Sequence, residues 1–98
     1  MNEPATSWTF LTHHARMLLA IARDPASRIR DTAAACNVSE RTAQAVITDL
    51  DENGYLSRER LGRRTHYTVH LDVGLRHPAE ADVPVQALLA LFTAHDQR

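Results

Sequence analysis

The chain has 98 residues, 44% of them hydrophobic and 23% charged, a balance that suits one small globular domain and excludes an intrinsically disordered polypeptide. Its formal net charge of -1 gives no general pull toward nucleic acid or membrane, so a polyanionic partner has to be met by local charge. A single cysteine, Cys36, excludes an internal disulfide and a CxxC metal site, and suits a reducing, cytoplasmic setting.

In chain order, residues 1–7 are polar and expected to be a flexible N-terminus, with neither the basic nor the apolar stretch of a signal peptide. The run "WTFL" (Trp8 to Leu11) reads as extended or as the opening of the first helix. Thr12 is a suitable N-cap for "HHARMLLAIAR", where Ala15, Leu18, Leu19 and Ala22 recur at helical spacing. Asp24-Pro25 ends that helix. "SRIR" is a short bridge or one strand of a small sheet. "DTAAAC" (Asp31 to Cys36) is a short Ala-rich helix closed by Asn37, a residue that tolerates the left-handed conformation. Ser39 caps the next helix, which runs to about Asn53 and stops at Gly54.

Two helices around one tight turn make a helix-turn-helix over residues 31–53. A wing over 55–70 follows, in which "YLSRERL" and "RTHYTVH" flank Gly62-Arg63. Gly in the first central position suits a type II′ turn and sets Leu56 opposite Val69, Arg58 opposite Tyr67 and Glu59 opposite His66. Arginines then crowd toward a free tip. Leu71 to Asp82 is a connector broken by Gly74 and Pro78, and a C-terminal helix over about 83–95 carries Val85, Leu88, Leu89 and Phe92 as its apolar stripe. The expected fold is mainly α with a small β-hairpin, an α+β winged helix-turn-helix filling 8–98 as a single domain. No run is apolar for long enough to span a bilayer, so no membrane partner is expected.

From Arg28 to Val69, "RIRDTAAACNVSERTAQAVITDLDENGYLSRERLGRRTHYTV" resembles the winged helix-turn-helix transcriptional regulators, most closely their small MarR-like and ArsR-like bacterial members. The likeness lies in the order helix, tight turn, Ser-Glu-Arg-Thr opening a second helix, Leu-x-x-x-Gly-Tyr-Leu closing it, and an Arg-rich hairpin. Asn37 stands where that family often has Gly. Thr32 replaces a larger packing residue, so the first motif helix is expected to be weakly anchored. The chain is also shorter than full MarR-like proteins.

The resemblance implies a sequence-specific DNA-binding regulator whose second motif helix enters the major groove N-terminal end first. On a helical wheel, Ala43, Val46, Ile47 and Leu50 share the core face, while Arg41, Gln44, Ala45, Thr48 and Glu52 oppose it. Candidate readers are Arg41 for guanine, Gln44 for adenine and Ala45 for a thymine methyl, with Thr48 deeper along the helix. Ser39 and Thr42 are candidates for a phosphate near the helix start. Arg60, Arg63 and Arg64 on the wing, and Arg28 and Arg30 beside the first motif helix, would meet the backbone or minor groove. Arg58 is expected to pack beside Tyr67. Asp49, Asp51 and Glu52 crowd the far end of the reading helix, where sequence alone offers them no partner, and Glu40 near its start has no assigned role.

Double-stranded, palindromic DNA and a second copy of the chain are the expected partners, with Phe10, Leu11, Leu18, Val85, Leu88, Leu89 and Phe92 as the dimer surface. No cofactor or metal is expected, and any effector is unknown. Two other functions compete. One is a winged-helix protein-interaction module, against which the arginine wing speaks; the other is a metal-responsive ArsR-like repressor, for which six histidines and one cysteine form no clear ligand set. An enzyme is not expected: the sequence has no phosphate-binding Gly loop and no supported catalytic arrangement.

Overall fold

The computed structural model describes residues 8–97, so the expected loose segment 1–7 lies outside the described residues. Helix α1 (His13–Arg23) starts where expected, with Thr12 Oγ1 accepting the Ala15 amide at 3.1 Å. The preceding Trp8 to Leu11 is not helical. Arg16 holds it instead, donating to Thr9 Oγ1 at 3.0 Å and to the Leu11 carbonyl at 2.8 Å.

Helix α2 (Ile29–Ala35) begins two residues before Asp31, and "SRIR" forms no strand. Ile29 packs against the core, and burying that side chain favours winding the chain early over leaving it extended. Thr32 does not loosen the helix. It is 5% exposed, and its hydroxyl donates to the Arg28 carbonyl at 3.2 Å, so the buried polar atom is satisfied. Asn37 turns the chain at φ 58, with the Val38 amide bonding back to Ala33 at 3.0 Å.

Helix α3 (Glu40–Glu52) is capped by Ser39, whose Oγ accepts the Thr42 amide at 3.0 Å. Ala43, Val46, Ile47 and Leu50 are its buried face, as the wheel requires. Strands β1 (Leu56–Leu61) and β2 (Arg64–Val69) then form the antiparallel hairpin in the expected register. Gly62 has φ 63, and Arg63 is not among the positive-φ residues. One positive φ, at the first central position, is the II′ pattern rather than I′.

The connector is tied down. Val85 N donates to Val73 O at 2.8 Å, Leu75 N to Val83 O at 3.0 Å, and the buried Tyr55 hydroxyl to Gly74 O at 2.6 Å. A Cβ on Gly74 would meet the Ala81 carbonyl oxygen at 2.2 Å, so that close backbone approach requires glycine. Helix α4 (Val85–Asp96) follows, with Pro84 as its cap rather than inside its first turn. A two-pronged Arg23–Asp96 pair, 2.7 and 2.9 Å, joins the C-terminal ends of α1 and α4.

The largest fully buried side chains, Met17, Ile21, Ile47, Leu56 and Val85, come from α1, α3, β1 and α4. The described residues form a winged helix: four α-helices, one short 3-10 turn (Pro78–Glu80) and a two-stranded wing around one core. Leu18, Val85 and Leu89 belong to that core and are not available to a second copy, a correction to the expected dimer surface. Their stripes close on their own chain. Phe10 is 92% exposed, while Leu11, Leu88 and Phe92 are half-buried. None of the described helices is long and apolar enough to cross a membrane.

Candidate nucleic-acid interface

Helix α3 presents its outer face between two flanks. Arg41, Gln44 and Ala45 are exposed, and Thr42 and Thr48 are half-buried. On the wing side, Gln44 lines a cleft of about 360 Å³ with Ser27, Arg28, Ile29, Arg58, Arg63, Arg64, Thr65 and Tyr67. On the α1 side, Thr42 and Ala45 line a groove with His13, His14 and Asp49. The readers expected in one row thus divide: Gln44 faces the wing, Ala45 faces α1, and Arg41 and Thr48 line neither depression.

Ser39 and Thr42 are engaged with each other. Besides capping the helix, Ser39 Oγ donates to Thr42 Oγ1 at 3.1 Å, which leaves the Thr42 hydroxyl hydrogen free to turn outward. Glu40 lies in the first turn and has no side-chain hydrogen bond or ion pair among the described residues; its carboxylate suits the positive end of the helix.

Two of the three late acids have partners, while Glu52, exposed on the outer face, has no side-chain hydrogen bond or ion pair among the described residues. Asp49 Oδ2 is 2.8 Å from His14 Nε2. A carboxylate can only accept, so that nitrogen carries the hydrogen. Asp51 Oδ2 accepts from Arg58 Nε at 2.9 Å. One acid is therefore drawn toward α1 and the other toward the wing, away from the middle of the outer face.

The wing is less free than a lone hairpin. Tyr67 N donates to Pro25 O at 3.0 Å and Arg64 Nη1 to Ala26 O at 2.8 Å, fastening β2 to the loop after α1. At its base, His70 Nδ1 is 2.8 Å from Gly54 O, so Nδ1 bears the hydrogen, while Nε2 is 2.8 Å from Ser57 Oγ. Arg60 Nε turns to Gly62 O at 3.2 Å. Arg30 is exposed and does not line the wing cleft. Arg58 lies opposite Tyr67 as expected, and it also lines the cleft, which was not foreseen. Two-residue alternation was the available signal, since Arg58 shares a strand face with Leu56 and lies opposite Tyr67.

Burial pushes the Tyr67 hydroxyl above its ordinary pKa of 10.0, partly offset by the Arg58 guanidinium. Burial likewise raises Cys36 above 9.0, with Arg16 pulling the other way. Among the described residues no group of three or more His, Cys, Asp or Glu side chains could hold an ion together.

By sequence, the chain matches no family model and no curated protein. By fold it is similar to the crystal structure of AntR, an antimony-specific transcriptional repressor. The match has a TM-score of 0.51 at 23% identity and covers 86% of this chain and 69% of that one. At that identity the likeness is one of fold.

Proposed function

We propose that this chain is a sequence-specific DNA-binding transcriptional regulator of the small MarR-like or ArsR-like type. In this reading α3 enters the major groove with Arg41, Gln44, Ala45 and Thr48 toward the bases, and Ser39 and Thr42 near a phosphate. Arg28, Arg30, Arg60, Arg63 and Arg64 meet the backbone or the adjacent minor groove. The carrying observation is the charge layout. The outer face of α3 is cationic or neutral through its first half, and two of its later acids pair sideways with His14 and Arg58.

The active form in this reading is a homodimer on a palindromic site, acting in the cytoplasm. Helix α4 supports it, because Leu91 is 69% exposed and Ala87, Ala90 and Ala94 lie open beside it. An apolar helix with an uncovered second side suits burial against another helix. Phe10, Leu88 and Phe92 would border that contact, with Leu11 behind them.

Antimony specificity is not carried over from the neighbour. Soft metalloids favour thiolates, and the single cysteine is buried. A protein-docking wing would present an apolar strand; here Leu61 is the large apolar side chain exposed on a hairpin that also exposes four arginines. Selection of bound duplexes from a random pool tests the reading. Enrichment of one motif repeated about a two-fold axis is expected, and a pool with no enriched motif contradicts it.

A further inference from the structure

The wing cleft has an unusual lining. Four arginines, Arg28, Arg58, Arg63 and Arg64, line it with Gln44 and Thr65, and no acidic residue lines it. Like charges gathered in one concavity repel. Asp51 relieves Arg58 alone, and from outside the cleft. Two of the four are also held in place, Arg58 through Nε by Asp51 and Arg64 through Nη1 by Ala26 O. Each keeps further N–H groups for another acceptor, and a guanidinium fixed by one edge loses little freedom when a ligand takes the other. The volume, about 360 Å³, is on the order of a dozen waters at roughly 30 Å³ each, enough for a phosphate with a substituent attached.

We infer that this cleft is a discrete seat for a phosphate group. Arg28, Arg58, Arg63 and Arg64 supply the charge, and the Gln44 amide and Thr65 hydroxyl supply neutral donors. The phosphate comes from the DNA backbone when duplex is bound, and from a small phosphate-bearing anion when it is not. Gln44, placed toward the bases in the function proposed above, is here directed to the sugar-phosphate chain instead, the one point at which the seat revises that reading. The DNA half of this inference rests on the function proposed above; the free-anion half does not. It follows that small phosphate anions compete with duplex beyond their effect on ionic strength.

The test is a titration of the full chain with inorganic phosphate, and with chloride at matched ionic strength, following the arginine Nε–H resonances by NMR. Saturable shifts are expected at Arg28, Arg58 and Arg64, with Arg76, which lies outside the cleft, unmoved. Arg28→Gln weakens phosphate binding about tenfold, since a charge-assisted bond is lost. Arg64→Gln also removes the tie to Ala26, so Gln44→Glu is the companion variant: it places a carboxylate at an exposed position and abolishes saturation without touching the core. If phosphate and chloride move all the arginines alike and without saturation, the seat is overturned, whether or not DNA binds.

The second arm scans single neutral methylphosphonate linkages through a selected duplex. One linkage per half-site should cost affinity in the wild type and nothing further in Arg28→Gln. Saturable phosphate binding with no such linkage supports the free anion as occupant and overturns the DNA half. Saturable phosphate binding by a chain that binds no duplex leaves the seat standing and removes the regulator reading.

Discussion

Arg58 on the first wing strand donates from Nε to Oδ2 of Asp51, in the last turn of α3, at 2.9 Å. The bond ties the last turn of α3 to the wing and pairs a negative charge at the edge of the helix. On the other flank, His14 and Asp49 join α1 to α3. Two of the three late acids of α3 thus lie paired at its edges, and Glu52 is left exposed on the outer face.

Both side chains of the Arg58–Asp51 pair are 37% exposed, so solvent screens it and its value lies in position more than in stability. Asp51→Asn should cost no more than about 1 kcal/mol in urea unfolding. A loss of several kcal/mol would show the pair to be a main fastening of the wing.

Arg41 and the wing tip should fail differently. Arg41→Ala relaxes preference at one base pair per half-site, worth about 1–3 kcal/mol of discrimination. Arg63→Ala with Arg64→Ala lowers affinity for all sequences alike and makes the salt slope shallower by about two. Competition binding against a panel of single-base variants separates the two patterns. An unchanged preference in Arg41→Ala removes that side chain from base reading.

Core and outer face of the terminal helices separate by exposure. Leu56 is 1% exposed, and Leu56→Ala should cost about 2–5 kcal/mol of stability. Leu91→Glu, at a position 69% exposed, should leave each chain folded but shift sedimentation from dimer to monomer. A wild-type chain that sediments as a monomer at micromolar concentration contradicts the dimer.

Cys36 and Tyr67 give a common alkaline signature. Burial raises both in the folded state, from 9.0 and 10.0, so the unfolded chain releases these protons first. Stability from this source is full below the unfolded values and is lost as pH rises through the folded ones. Thermal unfolding should therefore show a decline setting in above pH 9.0, and Cys36→Ala should remove its earlier part. A Cys36→Ala curve parallel to wild type would assign the decline to other groups.

The hairpin register was readable from Gly62-Arg63 alone, because a two-residue turn leaves one pairing and period-two alternation does the rest. The α3 face was readable because its apolar period is strong. Ile29 was misplaced because only tertiary burial tells a β-branched residue in a short segment to join a helix. Leu18, Val85 and Leu89 were assigned to a dimer because periodicity reports that a stripe is buried, not whose chain buries it. Partners for Asp49 and Asp51 were out of reach, since those contacts depend on where α1 and the wing come to rest. The arginine cleft was half visible: its wing residues stood out, while Arg58, Gln44 and the loop after α1 meet only in three dimensions.

In the proposed function, α3 and the arginine-bearing wing together hold duplex DNA. The most direct test is the equilibrium affinity for a selected duplex as a function of salt, measured by fluorescence anisotropy. Log K should fall linearly with log salt, by about 0.9 for each phosphate neutralised, and the slope should be shallower in the Arg63→Ala/Arg64→Ala variant. No binding at low salt, or binding indifferent to salt, contradicts it.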